Sequence, residues 1–225
     1  MQTKKLRGKQ LGRIIVILII LAIAQSIPAL FSSINQMNII QGFVNGIKPD
    51  DSVINASDNL QQVFGILSLI IYIPFFILFL IWFRKAYQNL ELFNIDTKFG
   101  SGWAIGGFFV PILGFVRPFQ ICKEIVDGSN KRENNYSKVI LIVIWWLFFW
   151  ISSITGNILL RTIPGENSDL QKFVTFTQVT VFSDAIDILL YPLFLILIIT
   201  IIKMQNTKYK ELISTKTTVN INPEI

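Results

Sequence analysis

Four long apolar runs alternate with polar segments, and their lengths predict membrane-spanning helices. Ile14 to Phe31 is the first; at about 1.5 Å per residue such a run reaches across most of a hydrocarbon core about 30 Å thick. Val63 to Phe83 is the second, uncharged throughout and closed by Arg84 and Lys85, with Trp82 where an interfacial aromatic belongs. Val139 to Ile158 is the third and carries Trp145, Trp146 and Trp150. The fourth is continuous from Ile188 to Ile202 and is closed by Lys203; a span of about 20 residues puts its other end near Ser183. Phe83, Tyr87, Leu90 and Asn94 recur at helical spacing, so the second helix is expected to leave the membrane and continue to about Phe93. Pro28, Pro74 and Pro192 fall in or near spans and read as packing kinks, because proline is commoner in membrane helices than in soluble ones.

The segments between are polar. Residues 1–13 form a basic terminus, and residues 32–62, rich in Asn, Gln and Ser, read as a net negative loop. A mobile tail is expected over 204–225, leaving 14–203 as a single membrane domain. Ala22 and Ala24 form a signal-peptidase-like site after a basic start, but apolar character continues past it, which favours an uncleaved anchor.

The middle of the chain breaks this regularity. Phe99 to Val116 is uncharged and nearly long enough to cross, yet Gly100, Gly102, Gly106, Gly107, Gly114 and Pro111 oppose a regular helix. A crossing there would also export Arg117, Lys123, Lys131, Arg132 and Lys138. The run is therefore expected to be a re-entrant or interfacial element packed against other helices. After it, Pro118 can open a helix and Gly128 close one. Phe119, Ile121, Cys122, Ile125 and Val126 lie on one side of it and Gln120, Lys123, Glu124 and Asp127 on the other, an amphipathic helix over 118–127 suited to the cytoplasmic surface.

Composition agrees with lipid as the solvent: 52% of the 225 residues are hydrophobic and 15% charged, against about a quarter charged in soluble domains. There is no histidine, so the commonest general base and metal ligand is absent. The single cysteine, Cys122, cannot form an internal disulfide. Neither cofactor nor metal is implied. The net charge of +6 does not point to nucleic acid, because the basic residues sit beside the apolar runs. Five Lys and Arg precede the first span, eight lie from Arg84 to Lys138 and four follow from Lys203, whereas the two other connections hold one and two. Both termini are thus expected in the cytoplasm.

The segments WFRKAYQNL (82–90), GWAIGG (102–107) with Pro111, and RPFQICKEI (117–125) resemble a bacterial membrane-protein family known as domain of unknown function 4328. The resemblance extends over roughly residues 60–205. It implies a small bacterial inner-membrane protein of several helices, and it marks Trp82, Asn89, Gly102, Trp103, Pro111, Arg117 and Pro118 as candidate functional positions. It implies no activity.

Candidate chemistry is sparse. Asp184 and Asp187 are three apart and share a helix face. Acids inside a membrane are functional candidates, which suggests an ion or proton site with Arg161 as a partner. The competing account, favoured because the unbroken apolar run begins only at Ile188, leaves both acids wetted at the interface. GSGWAIGG lacks the Lys-Ser/Thr ending of a phosphate loop, so its glycines read as close-packing positions. Arg84, Lys85, Arg117, Lys123, Lys131 and Arg132 could bind anionic lipid or an acidic partner, although fixing the topology explains them equally.

These readings predict an all-α membrane protein with four transmembrane helices, a re-entrant or interfacial Gly-rich element and a cytoplasmic amphipathic helix between spans two and three. Its first expected function is non-enzymatic docking of lipid or a protein partner through residues 84–132. The alternative is a small transporter or channel with its site at Asp184 and Asp187. No catalytic nucleophile, base and orienter can be named together.

Overall fold

The apolar runs turn out to be the centres of helices much longer than themselves. A computed structural model describes residues 5–130, 136–165 and 167–221, with side chains to Thr215. The helices are α1 (Lys9–Val44), α2 (Asp51–Leu92), α3 (Trp103–Gly106), α4 (Pro111–Gly114), α5 (Arg117–Ser129), α6 (Tyr136–Thr162) and α7 (Leu170–Ile221), and no strand occurs among the described residues. By length and composition α1, α2, α6 and α7 can each cross a membrane. Lys4, Lys131 and Arg132, three of the basic residues read above, lie outside the described residues.

Two polar segments are more helical than expected. The loop over 32–62 shrinks to residues 45–50, because Asn, Gln and Ser are only mildly unfavourable in helices and no Gly or Pro interrupts Ser32 to Gln41. The break comes where the backbone demands it. Gly46 takes φ +76°, and the Ile47 N–H reaches back to Gly42 O at 2.9 Å, a left-handed helix cap. At the other end, α7 runs on through Met204 to Ile221 where a tail was expected. The predicted end of α2 near Phe93 agrees closely: the helix ends at Leu92. Asn94, at φ +57°, is its left-handed cap, with the Ile95 N–H on Leu90 O at 3.0 Å. Pro28, Pro74 and Pro192 each sit inside a continuous helix.

The chain divides into two compact units, one of Met1–Ile17, Phe75–Ile144 and Leu195–Ile225, the other of Leu18–Pro74 and Trp145–Phe194. The core of the first is built from Trp82, Phe83, Tyr87 and Leu90 of α2, Ile121, Ile125 and Val126 of α5, and Ile198 and Ile201 of α7. Gly12 of α1 lets these helices close up, since a Cβ there would lie 2.8 Å from Ile202 Cδ1 and 2.9 Å from Trp82 Nε1. The apolar side of α5 is covered by the chain itself, so Cys122 is buried and its thiol is pushed well up by desolvation. Opposite, Lys123 and Asp127 pair at 2.6 Å on the exposed side.

In the second unit the tryptophans of α6 make an aromatic cluster: Trp145 stacks on Phe194 at 5.0 Å between centroids and Trp146 on Phe149 at 5.1 Å. Such pairs contribute about 0.5–1.5 kcal/mol each beyond their buried area.

Candidate functional site

Polar side chains converge within the second unit. Helix α1 supplies Ser33 and Gln36, α2 supplies Asp58 and Gln61, and α7 supplies Thr177, Thr180, Asp184 and Asp187; together with Phe64, Phe173 and Phe176 they line a cavity of about 570 Å³. Spacings of three or four bring each set to one helix face. The Ser33 hydroxyl donates to Asp184 Oδ2 at 2.6 Å. Asp187 accepts from the Ser152 hydroxyl of α6 at 3.2 Å and from Tyr191 at 3.1 Å. Gln36 Nε2 donates to Asp58 Oδ1 at 2.9 Å, Ser57 donates to Gln36 Oε1, and Gln61 Nε2 donates to Ser32 Oγ at 3.1 Å. Interhelical hydrogen bonds of this kind contribute about 0.6 kcal/mol each in a membrane, so the network orients the acids more than it holds the helices together.

Three carboxylates line the cavity and no Lys or Arg among the described residues does. Arg161, expected to partner Asp184 and Asp187, is exposed and is absent from that lining. Its ion-pair role is not supported. The wetted-interface account of the two aspartates is also incomplete, since both line a cavity of mixed polar and apolar character and are held by hydroxyl donors from other helices.

The positions marked by the family resemblance fall in the first unit, where they make joints. Asn89 is fully buried, at 0% exposure. Its Oδ1 accepts the Arg7 backbone N–H at 3.0 Å, and its Nδ2 donates to Arg7 O at 3.1 Å and to Gln205 Oε1 at 2.9 Å. Gln205 Nε2 in turn donates to Ala86 O at 2.8 Å. Asn89 thus reads the Arg7 peptide as a neighbouring strand would, and ties the amino-terminal segment and α7 to α2. Trp82 is buried beside Gly12, while Arg84 is exposed.

The Gly-rich run starts from a second joint. The Tyr87 hydroxyl donates to Glu124 Oε2 at 2.7 Å and accepts the Phe99 N–H at 3.2 Å. Burial first, and then the Glu124 carboxylate, push the Tyr87 hydroxyl up to about 12. Arg117 lies with its guanidinium 3.9 Å from the Phe99 ring centroid and 5.4 Å from that of Trp103, and donates to Gln120 Oε1 at 3.2 Å. Pro111 opens α4 and Pro118 lies in the first turn of α5, where a missing N–H costs nothing. The glycines divide. Gly107 is crowded, a Cβ there meeting Trp103 O at 2.7 Å, and Gly114 approaches Gly107 O, whereas Gly100, Gly102 and Gly106 face open space.

Sequence reasoning missed Ser33, Gln36, Gln61, Ser152, Arg7 and Gln205. The signal for the first three was present in residues 32–62, where polar residues recur at helical spacing.

The family described as Domain of unknown function (DUF4328) matches over residues 45–203. No curated protein and no solved structure matches the chain.

Proposed function

The chain belongs to the DUF4328 family, and on that footing we propose that it is a non-enzymatic, integral membrane protein that binds a positively charged solute in the cavity of its second unit and carries it across the bilayer. The observation behind this is the lining: Asp58, Asp184 and Asp187, with no Lys or Arg among the described residues that line it. The docking reading through residues 84–132 draws less support, because the apolar side of α5 is buried and not free for lipid or a partner. The Lys and Arg distribution supports four spans with both termini in the cytoplasm, and the family resemblance supports a bacterial inner membrane. In that threading the connections at 45–50 and 163–169 are external, and the cavity lies towards the outer ends of its helices.

Proteoliposomes test it. A membrane potential, negative inside, is expected to drive uptake of labelled monovalent inorganic or small organic cations by the unmutated chain, and Asp187→Asn is expected to lower the rate at least ten-fold. No cation movement by the unmutated chain would remove the proposal.

The Gly-rich run fits a re-entrant element in this threading. Phe108 rings contact Phe79 and Phe83 at 6.0 Å, and Phe109 contacts Phe76 at 6.5 Å. Phe76 lies seven residues before Phe83, about 10 Å further along the helix. Phe109 is 64% exposed and Ile112 82% exposed, which lipid would cover. An environment-sensitive fluorophore on Ile112→Cys, with the buried Cys122 silent, is expected to emit as in hydrocarbon and to be quenched by lipids brominated on their acyl chains. Water-like, unquenched emission contradicts insertion.

A further inference from the structure

We propose that the occupant of the cavity in the second unit is an amphiphilic organic cation, an amine or quaternary ammonium on an aromatic or aliphatic body, and not an inorganic ion. This rests on the cation reading above and narrows it. Size is the first argument. About 570 Å³ falls in the range of pockets, about 300–1,000 Å³, that enclose small organic molecules, and a bare ion would leave most of it unfilled.

The lining is the second argument. It has two characters: the carboxylates of Asp58, Asp184 and Asp187, and the rings of Phe64, Phe173 and Phe176. A hydrated metal ion is kept off the rings by its own water, whereas an ammonium group gains from the carboxylates and its carbon body from the aromatic wall. A hard cation instead asks for about six oxygens at short range. Among the described residues no three acidic, His or Cys side chains converge closely enough to hold a metal ion.

Acceptor capacity is the third. A carboxylate offers about four lone-pair sites. The Asp184 side chain takes one hydroxyl, from Ser33, and Asp187 takes two, from Ser152 and Tyr191. These donors fix the carboxylates in place and leave acceptor sites for an N–H or for the diffuse charge of a quaternary group. Helix α7 presents both aspartates on one face, so one cation can lie against the pair while its body extends towards Phe173 and Phe176.

The test uses the full chain in nanodiscs of zwitterionic lipid, with empty nanodiscs as the blank for partitioning. Phenethylammonium, benzyltrimethylammonium and tetraethylammonium are titrated by calorimetry beside the neutral 3-phenylpropanol and the chlorides of sodium, potassium and calcium. At least one organic cation is expected to bind at least ten-fold more tightly than the neutral alcohol. Asp184→Asn should weaken it at least ten-fold, and Phe176→Ala, a variant that leaves the acids in place, about five-fold. Binding of inorganic cations alone overturns this inference and leaves the transport reading standing. Equal binding of the alcohol overturns it too, since the site is then merely apolar. No binding of any cation overturns both.

Discussion

Asn89→Leu lowers the stability of the folded chain by about 3 kcal/mol, because orphaning a buried hydrogen-bonding group costs about 1–3 kcal/mol and this change orphans several. Leucine nearly matches asparagine in size, so packing is preserved while the Arg7 N–H, the Arg7 carbonyl and the Gln205 carbonyl lose their partner. The Gln205 group is almost fully buried and cannot turn to water; the Arg7 peptide is partly buried and recovers some of its loss. Denaturation in mixed micelles, followed by far-UV circular dichroism, reads the change. Asn89→Asp is expected to do no better, since it keeps an acceptor for the Arg7 N–H but aims a carboxylate at two carbonyl oxygens. Gln205→Leu should be strongly non-additive with Asn89→Leu, because both break the same network. A shift below about 0.5 kcal/mol for Asn89→Leu, the size of an ordinary surface substitution, would mean the joint does not hold the amino-terminal segment and α7 to α2.

Gly107→Ala costs about 2 kcal/mol, in the usual range for an overpacked site, while Gly106→Ala one residue earlier costs nothing measurable. Both glycines lie in the same run and have the same chemistry. They differ only in what surrounds them: at 107 a Cβ would meet Trp103 O at 2.7 Å and the Arg117 Cγ and Cβ at 3.0 and 3.1 Å, and at 106 it meets nothing within 4 Å. A backbone carbonyl cannot swing aside as a side-chain end can. The strain therefore passes to the Arg117 stack on Phe99, and limited proteolysis between 99 and 117 should speed up in Gly107→Ala alone. Equal behaviour of the two variants would show that this run tolerates displacement.

The glycine pair also marks the boundary between sequence and structure. Reading GWAIGG as a close-packing segment is right for Gly107 and wrong for Gly102 and Gly106, and no local pattern separates them. The same holds for the acids. Asp184 and Asp187 are conspicuous within an apolar helix, but the hydroxyls that hold them come from Ser33 and Ser152, on other helices.

The sequence by itself determined what depends on single residues and short windows. Hydropathy finds the four helices long and apolar enough to cross a membrane, because each side chain's transfer cost is its own. Gly and Pro stop Phe99 to Val116 from forming a regular helix, because backbone freedom is a local property, and helical spacing carries α2 to within a residue of its end. Tertiary structure alone decided the partners. Asn89 meets Arg7 and Gln205 across 82 and 116 positions, and Ser33 meets Asp184 across 151. Hydrogen-bond satisfaction is a pairwise condition, so the polar residues that a one-dimensional reading assigns to a loop became the helix faces that line the cavity.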